Sequence, residues 1–238
     1  MYEHGISEDA LVSVAQRAFR NGALNPNAWR HRELDRDEIA ASSPVNLPLR
    51  KYMFCSPAEG GAAVVLCSAS VAKRYQANPI LVKAAVVRTR HHGSFEVFSP
   101  ALAARQAPSP TVIASKAAFE EAGVGPRDID VIQLQDTDSG SEIIHMAENG
   151  FCGHGEQEML LREGATGIDG RIPINTDGGC MANGEPVGAS GLRQVIEVCV
   201  QLRQQAGRRQ VQGNPRLGYT HVYGAPGVSG VTILERLG

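Results

Sequence analysis

The sequence of 238 residues lacks several features that would point at once to a class of function. No apolar run approaches the length of a membrane span, and no charged start followed by an apolar segment indicates export. The net charge is −2 without a basic stripe, so nucleic acid is not expected as a partner. The five cysteines have no CxxC spacing, which gives a zinc site no support. Their odd number and the missing export signal predict reduced thiols in the cytoplasm.

Two phosphate-binding signatures are also missing from the chain. No GxGxxG follows a predicted strand, and no Lys-Ser/Thr pair follows a glycine-rich loop. What is present is typical of a packed globular chain, with 42% hydrophobic and 20% charged residues.

Apolar periodicity and capping residues predict an alternating α/β chain. Before residue 79 we expect helices at 8–20, 36–41 and 70–76, an irregular crossing at 42–54 and a buried strand at 60–68. After it the pattern is β-α-β-α-β-α-β-β, with a loop at 91–107. The strands are expected at 80–90, 128–136, 171–175, 217–224 and 228–236, and the helices at 109–123, 139–149 and 189–206.

This order predicts a mixed sheet covered on both faces, with the site at strand ends and strand-to-helix loops. Three segments lie there: "QDTDSGSE", "NTDGG…NGEPVGASG" and "HVYGAPG". The glycines of the second segment either let a ligand approach the backbone or serve tight turns and close helix packing. The helix that opens after residue 188 offers free N–H groups to an anion.

The segment "GEPVGASGLRQV" resembles the GHPxGxxG motif of the thiolase superfamily. "SPAEGGAAVVLCSASVAKR" and "ALNPNA" resemble sterol-carrier-type thiolases. The combination with "QDTDSGSEIIHMAENGFC" and "YGAPG" is similar to the thiolase-fold aldolases named lipid-transfer proteins. The resemblance implies a thiolase fold without its front part. Residues 1–78 would hold the tail end of the N-terminal half with the loop domain, and residues 79–238 the complete C-terminal βαβαβαββ half.

Three departures from the thiolase pattern bear on the chemistry. Glu185 stands where the GHP motif has histidine, and a carboxylate there would repel an enolate. "HVYGAPG", with Tyr223, replaces the late Cys-Gly motif. The His or Asn expected after the second C-terminal strand falls within "LQDTDSG", which offers Gln135 and Asp136. Thiolytic Claisen chemistry is therefore not expected.

The resemblance implies retro-aldol cleavage of a β-hydroxyacyl-CoA, as in steroid side-chain degradation, without a covalent cysteine. It implies an OB-fold partner with a zinc ribbon, a possible thiolase-like homodimer, and no cofactor or metal besides the coenzyme A of the substrate. One alternative is a non-catalytic acyl-CoA-binding or scaffold subunit completed by another chain. Residual thiolase activity is a third possibility.

The candidate acid/base residues follow from the same motifs. Tyr223 is the first candidate, and because free tyrosine has a pKa of ~10 it needs a neighbouring positive or donor group. Glu185 could be protonated, act as the base, or orient Tyr223. Asp136 is a second candidate, and His221 could assist. The substrate is expected to bind at Asn183, Gly184, Gly188, Ala189 and Gly224.

Each candidate also has a structural alternative. Tyr223 and His221 could be packed core residues, and Glu185 a buried carboxylate or a contact to a partner. Asp136 and Asp138 could cap the helix at 139–149. His145 and His154 are expected to be structural or on the surface, and Cys180 to serve packing.

Overall fold

The structure is a computed structural model that describes residues 1–75, 78–90, 108–224 and 227–237. The predicted loop at 91–107 lies outside these residues. In chain order the helices and strands are α1 (Glu8–Ala23), α2 (Arg36–Ala41), β1 (Pro44–Asn46), β2 (Leu49–Arg50), α3 (Ala69–Tyr75), β3 (Ile80–Thr89), α4 (Pro110–Ala122), β4 (Val131–Gln133), α5 (Ser139–Glu148), α6 (Glu156–Arg162), α7 (Gly179–Asn183), α8 (Ser190–Leu202), β5 (Leu217–Gly224) and β6 (Val228–Arg236). None of the described helices is long and apolar enough to cross a membrane.

The observed ends of α4 and the observed start of α2 agree closely with the prediction, because capping residues set them. The Ser109 hydroxyl accepts a hydrogen bond from the Val112 amide at 3.3 Å, and Pro110 is the first residue of α4. Gly123 ends the helix in the left-handed conformation, at φ 66°. Asp35 caps α2 through its side chain in the same way as Ser109 caps α4.

Four strands form a mixed sheet in the order β3-β6-β5-β4. β4 and β5 are parallel, whereas β6 is antiparallel to both of its neighbours. The register places His221 opposite Val231 and Tyr223 opposite Ser229. Because side chains alternate along a strand, His221 and Tyr223 lie on the same face of the sheet.

Helices cover both faces of the sheet, which confirms the predicted α/β class. On one face α4 and α5 enclose a core that contains Ala118, Met146 and Ile233. On the other face α8 packs through Val198 and Leu202. The polar residues at the end of β5 therefore lie at the rim of a packed layer rather than on an open surface.

The residues before β3 pack mainly on the helices that follow it. α1 contacts α5, α6 and α7. One apolar cluster joins Leu11, Ala18 and Met53 to Ile143 and Met181. The division into residues 1–78 and 79–238 stays a prediction, since this cluster draws on both ranges.

Several segments differ from the sequence-based expectation, which included neither α6 nor α7. The strand predicted at 60–68 is wrong, because these residues are not in a strand and Val65 is 95% exposed. A strand needs a hydrogen-bonded neighbour, and no described strand pairs with this segment. The strand predicted at 171–175 is reduced to a single bridge between Ile132 and Ile174. The crossing at 42–54 contains the β1–β2 pair.

Candidate active site

The glycine-rich loop before α8 approaches the protein itself closely. A Cβ atom on Gly179, at φ +60°, would lie 1.9 Å from Asp136 Oδ2. A Cβ atom on Gly184, at φ +76°, would lie 2.5 Å from the Cβ of Ala58. Both positions therefore require glycine for turn geometry and packing. Around Gly188 nothing lies within 4 Å of an added Cβ, so the backbone at this position is open to close approach of a ligand.

Asp136 is fully buried and caps α7. Its carboxylate accepts hydrogen bonds from the amides of Cys180 at 2.6 Å and Met181 at 3.4 Å. The cap of α5 is Asp138, so the expectation that both aspartates cap α5 is wrong for Asp136. Burial, with a contribution from nearby Glu142, raises the pKa of Asp136 above its usual range. These contacts favour a structural role for Asp136 over the predicted catalytic one.

Glu185 is half-buried where the loop meets the segment that contains Ser56. Its amide donates to the Ser56 carbonyl at 2.8 Å. Its carboxylate Oε2 accepts a hydrogen bond from Gln135 Nε2 at 3.0 Å. No hydrogen bond within the described ranges joins Glu185 to Tyr223, so Glu185 does not orient Tyr223 directly.

The two candidates on β5 have different surroundings. His221 is fully buried, with its Nε2 3.2 Å from Thr111 Oγ1, while its Nδ1 has no hydrogen-bond partner within the described part of the chain. Tyr223 is half-buried, and its hydroxyl oxygen accepts a hydrogen bond from Arg90 Nη2 at 3.4 Å. Arg90 is therefore the positive donor group that an acid/base tyrosine requires.

His145 of α5 connects the two sides of the site. Its Nδ1 lies 2.8 Å from the carbonyl oxygen of Gln135. Because a carbonyl can only accept, Nδ1 carries the proton. The His145 ring centroid is 4.5 Å from that of His221 and 5.6 Å from that of Tyr223. A continuous set of contacts thus runs from Glu185 through Gln135 and His145 to Tyr223.

Both histidines are held in the uncharged form. Burial lowers the pKa of His145, and burial together with the neighbouring His145 lowers the pKa of His221 well below its usual value. An imidazolium at either place would lose its hydration without gaining an adequate partner. At neutral pH Arg90 is therefore the cation in contact with Tyr223.

An ion pair and two thiols lie beside Glu185. Arg193 forms an ion pair with Asp177, and its Nη2 is 3.7 Å from Cys180 Sγ. Burial raises the pKa of Cys180 well above the usual value. Burial, and then the charge of Glu185, raises the pKa of Cys55 to about 11. Both thiols are protonated at neutral pH, so neither is an activated nucleophile.

The predicted substrate-binding residues fall into two groups. The side-chain amide of Asn183 donates a hydrogen bond to a carbonyl of α7 at 2.7 Å, and Gly184 packs against Ala58. Both residues therefore stabilise the loop. Ala189 is the N-cap of α8, which has no side-chain capping bond. Gly188 and Gly224 are exposed. Binding of the substrate at these five positions stays a prediction.

Sequence reasoning missed the residues that connect the site. His145 is 6% exposed, which agrees with the structural one of its two expected roles, but its place between Gln135 and Tyr223 was not expected. Gln135 shares its strand end with Asp136 in the sequence, and no sequence motif points to Arg90. A signal for His145 existed, because Glu142, His145 and Asn149 share one face of α5 at a spacing of three and four residues. All three of these polar residues are buried, which is unusual for a surface helix.

Two clefts of the described chain lie away from this site. A cleft of about 760 Å³ lies between α1 and the loop at 164–171, and its lining includes Arg20 and Arg208. An apolar groove of about 570 Å³ lies between α3 and the start of β3. Neither is lined by a predicted site residue, so the candidate active site is defined by the contacts of its side chains.

Several known proteins are similar to this chain. A family model described as "Thiolase C-terminal domain-like" matches residues 101–236. The acetyl-CoA acetyltransferase of Methanothermobacter thermautotrophicus is 36% identical over 238 residues, which are 99% of this chain and 60% of that protein. The benzoylsuccinyl-CoA thiolase subunit BbsB of Thauera aromatica is 31% identical over 94% of this chain and 57% of its own length. Sterol carrier protein 2 of Homo sapiens is 30% identical over 99% of this chain and 43% of its own length.

One solved structure, described as the Ltp2-ChsH2(DUF35) aldolase, matches with a TM-score of 0.83. It is 20% identical and covers 99% of this chain and 60% of its own chain. At this identity the match shows a shared fold. This chain thus spans no more than about 60% of the length of the relatives it matches.

Proposed function

Because this chain belongs to the thiolase C-terminal domain-like family, we propose that it cleaves a β-hydroxyacyl-CoA thioester by a retro-aldol reaction. The observation that carries the proposal is the set of contacts from Glu185 through Gln135 and His145 to Tyr223. It links a carboxylate to a phenol through Gln135 and His145, while the adjacent thiols stay protonated. The shared fold with a protein named as an aldolase supports the same reaction class.

The proposed reaction needs two proton transfers. A base removes the proton of the β-hydroxyl, and the bond between the α and β carbons breaks. The β carbon leaves as a ketone, and its former bonding pair passes into an enolate of the thioester. An acid then protonates the α carbon, which yields a shorter acyl-CoA.

We assign the removal of the β-hydroxyl proton to Tyr223, whose oxygen accepts a hydrogen bond from Arg90. We assign the protonation of the α carbon to Glu185. The uncapped N-terminus of α8 is the proposed place for the enolate oxygen, since its N–H groups favour negative charge. Each positioned proton transfer is typically worth ~10² to 10⁴ in rate. Coenzyme A enters as part of the substrate, which we propose to be the thioester of a steroid or similarly bulky acid.

We also propose that the chain works in a complex with an OB-fold, zinc-ribbon partner, with a homodimer of this chain as a second assembly to test. Support comes from the similar proteins, since BbsB is named as a subunit and the name of the solved aldolase joins two components. Co-purification of the two proteins, with a mass consistent with a defined complex, is the expected result.

A second candidate is a non-catalytic acyl-CoA-binding or scaffold subunit. The exposed apolar residues Val65, Leu66 and Tyr75 favour it, because such a surface is typical of an interface with another polypeptide. Tight binding of a CoA ester without turnover would select this candidate. A third candidate is thiolase activity, favoured by the 36% identity to an acetyltransferase and tested by a thiolysis assay.

The test of the leading proposal is product analysis with the intact chain and its partner. A ketone and a shorter acyl-CoA should form from a β-hydroxyacyl-CoA, as measured by mass spectrometry. Tyr223→Phe should lower the rate ~100-fold or more. Tyr2→Phe is the matched control, because Tyr2 is fully exposed and outside the site. An unchanged rate in Tyr223→Phe would remove this tyrosine from the mechanism.

A further inference from the structure

We propose that His145 is a positioning residue for Tyr223, which it holds in place by ring contact while its own ring is tied to the backbone of Gln135. The effect on rate rests on the proposed retro-aldol function. The effect on the placement of the Tyr223 ring does not, and it can be measured without any substrate.

The anchor of His145 is rigid at both ends. The carbonyl that receives its Nδ1 proton belongs to Gln135, two residues after β4. The chain is held there, because the amide of Leu134 donates to Asn175 Oδ1 at 2.9 Å. The other end is the backbone of α5, where the His145 carbonyl accepts from Asn149 Nδ2 at 2.8 Å. The imidazole therefore has one tautomer and little freedom to rotate.

The contacts of Tyr223 explain why it depends on this anchor. Its hydroxyl has a hydrogen bond of 3.4 Å to Arg90, which is long for a hydrogen bond from a charged donor. Its ring faces the His145 ring at a centroid distance of 5.6 Å and an interplanar angle of 40°. His221 supports the imidazole from the same strand, at 4.5 Å. The histidine ring is therefore the firmly held neighbour of the tyrosine ring.

The charge state of His145 suits this task. Its burial lowers its pKa, so the imidazole packs as an uncharged aromatic group. Because the same Gln135 also holds Glu185, His145 fixes the tyrosine relative to the carboxylate as well. Misplacement of a reacting group by about 1 Å can cost ~100-fold in rate.

The first experiment compares His145→Asn with the matched control His154→Asn. The asparagine amide can replace the donor to Gln135 but supplies no ring against Tyr223. His154 is exposed and stacks on His4, away from the site. In His145→Asn we expect kcat to fall about 10- to 100-fold with KM within about twofold, and no change in the control. In the Tyr223→Phe background, His145→Asn should lower kcat little further, because both substitutions remove the contribution of a correctly placed Tyr223 hydroxyl.

The second experiment needs no activity. Tyrosine ring resonances are recorded by NMR on selectively labelled protein, with Tyr223 assigned from Tyr223→Phe. The Tyr223 resonances should shift in His145→Asn and stay in place in His154→Asn. If His145→Asn does not fold, His145→Phe replaces it, and a ring without its anchor should still shift the Tyr223 signals.

Unchanged Tyr223 resonances, or rate losses that add fully in the double variant, would overturn the proposal. A wild-type chain without aldolase activity would instead refute the proposed function. The resonance shifts would then still decide whether His145 positions Tyr223.

Discussion

Replacement of Gly179 by alanine tests how the loop that carries Glu185 is held. Gly179 has φ +60°, and an added Cβ would lie 1.9 Å from Asp136 Oδ2 and 2.5 Å from Asp136 Cγ. The buried carboxylate must therefore turn away from the Cys180 amide, to which it is bonded at 2.6 Å. The loop and its cap are disturbed together.

Two costs add in this variant. An L-residue in the left-handed conformation costs about 1 to 2 kcal/mol. A buried amide without its acceptor costs about 1 to 3 kcal/mol. The free energy of unfolding should fall by about 2 to 5 kcal/mol, against a typical total of about 5 to 15 kcal/mol.

The assay is urea denaturation followed by circular dichroism, with Gly188→Ala as the control glycine from the same loop. An added Cβ on Gly188 meets nothing within 4 Å, so its midpoint should stay near that of the wild type. With a typical slope of about 2.5 kcal/mol per M, Gly179→Ala should lower the midpoint by about 1 to 2 M. Equal midpoints for the two variants would refute the packing that we assign to Gly179 and Asp136.

Two further predictions concern titration. Because burial lowers the pKa of His145 and His221, unfolding takes up protons at these residues as the pH falls from 6.5, whereas the raised pKa of Asp136 acts in the opposite direction. The urea midpoint of the wild type should therefore fall relative to that of His145→Asn between pH 6.5 and pH 5, and a constant difference between the two would contradict this. Exposed Cys67 should react with a disulfide reagent at pH 8 well before Cys55, with its pKa of about 11, and before buried Cys180; equal rates would contradict the assigned burial.

Elements governed by neighbouring residues could be predicted from the sequence. The cap of α4 at Ser109 and its end at Gly123 were both found where the local rules place them. The prediction of a buried strand at 60–68 is wrong because strand formation depends on residues that are distant in the chain. The apolar composition of this segment is real, but a strand forms only against a partner that the sequence pattern does not reveal. The bridge at 171–175 is short because Asn175 turns into a left-handed conformation at φ 52°.

The candidate site also has parts that the sequence predicts and parts that it does not. The resemblance to thiolases singled out Glu185 and Tyr223, and the structure connects them. Their connectors come from elsewhere, since Gln135 is 50 residues from Glu185 along the chain. Nor could spacing show that Asp136 caps α7, 44 residues away, while Asp138 caps its own helix.

The sequence by itself determined the thiolase-like α/β fold, the helix caps and the kinds of side chain available for proton transfer. These follow from local conformational preference and from motifs that are contiguous in the chain. Only the tertiary structure decided which carboxylate is a buried cap and which meets Gln135, and that His145 reaches Tyr223. Burial and hydrogen-bond geometry depend on distances through space, which no order of residues along the chain prescribes.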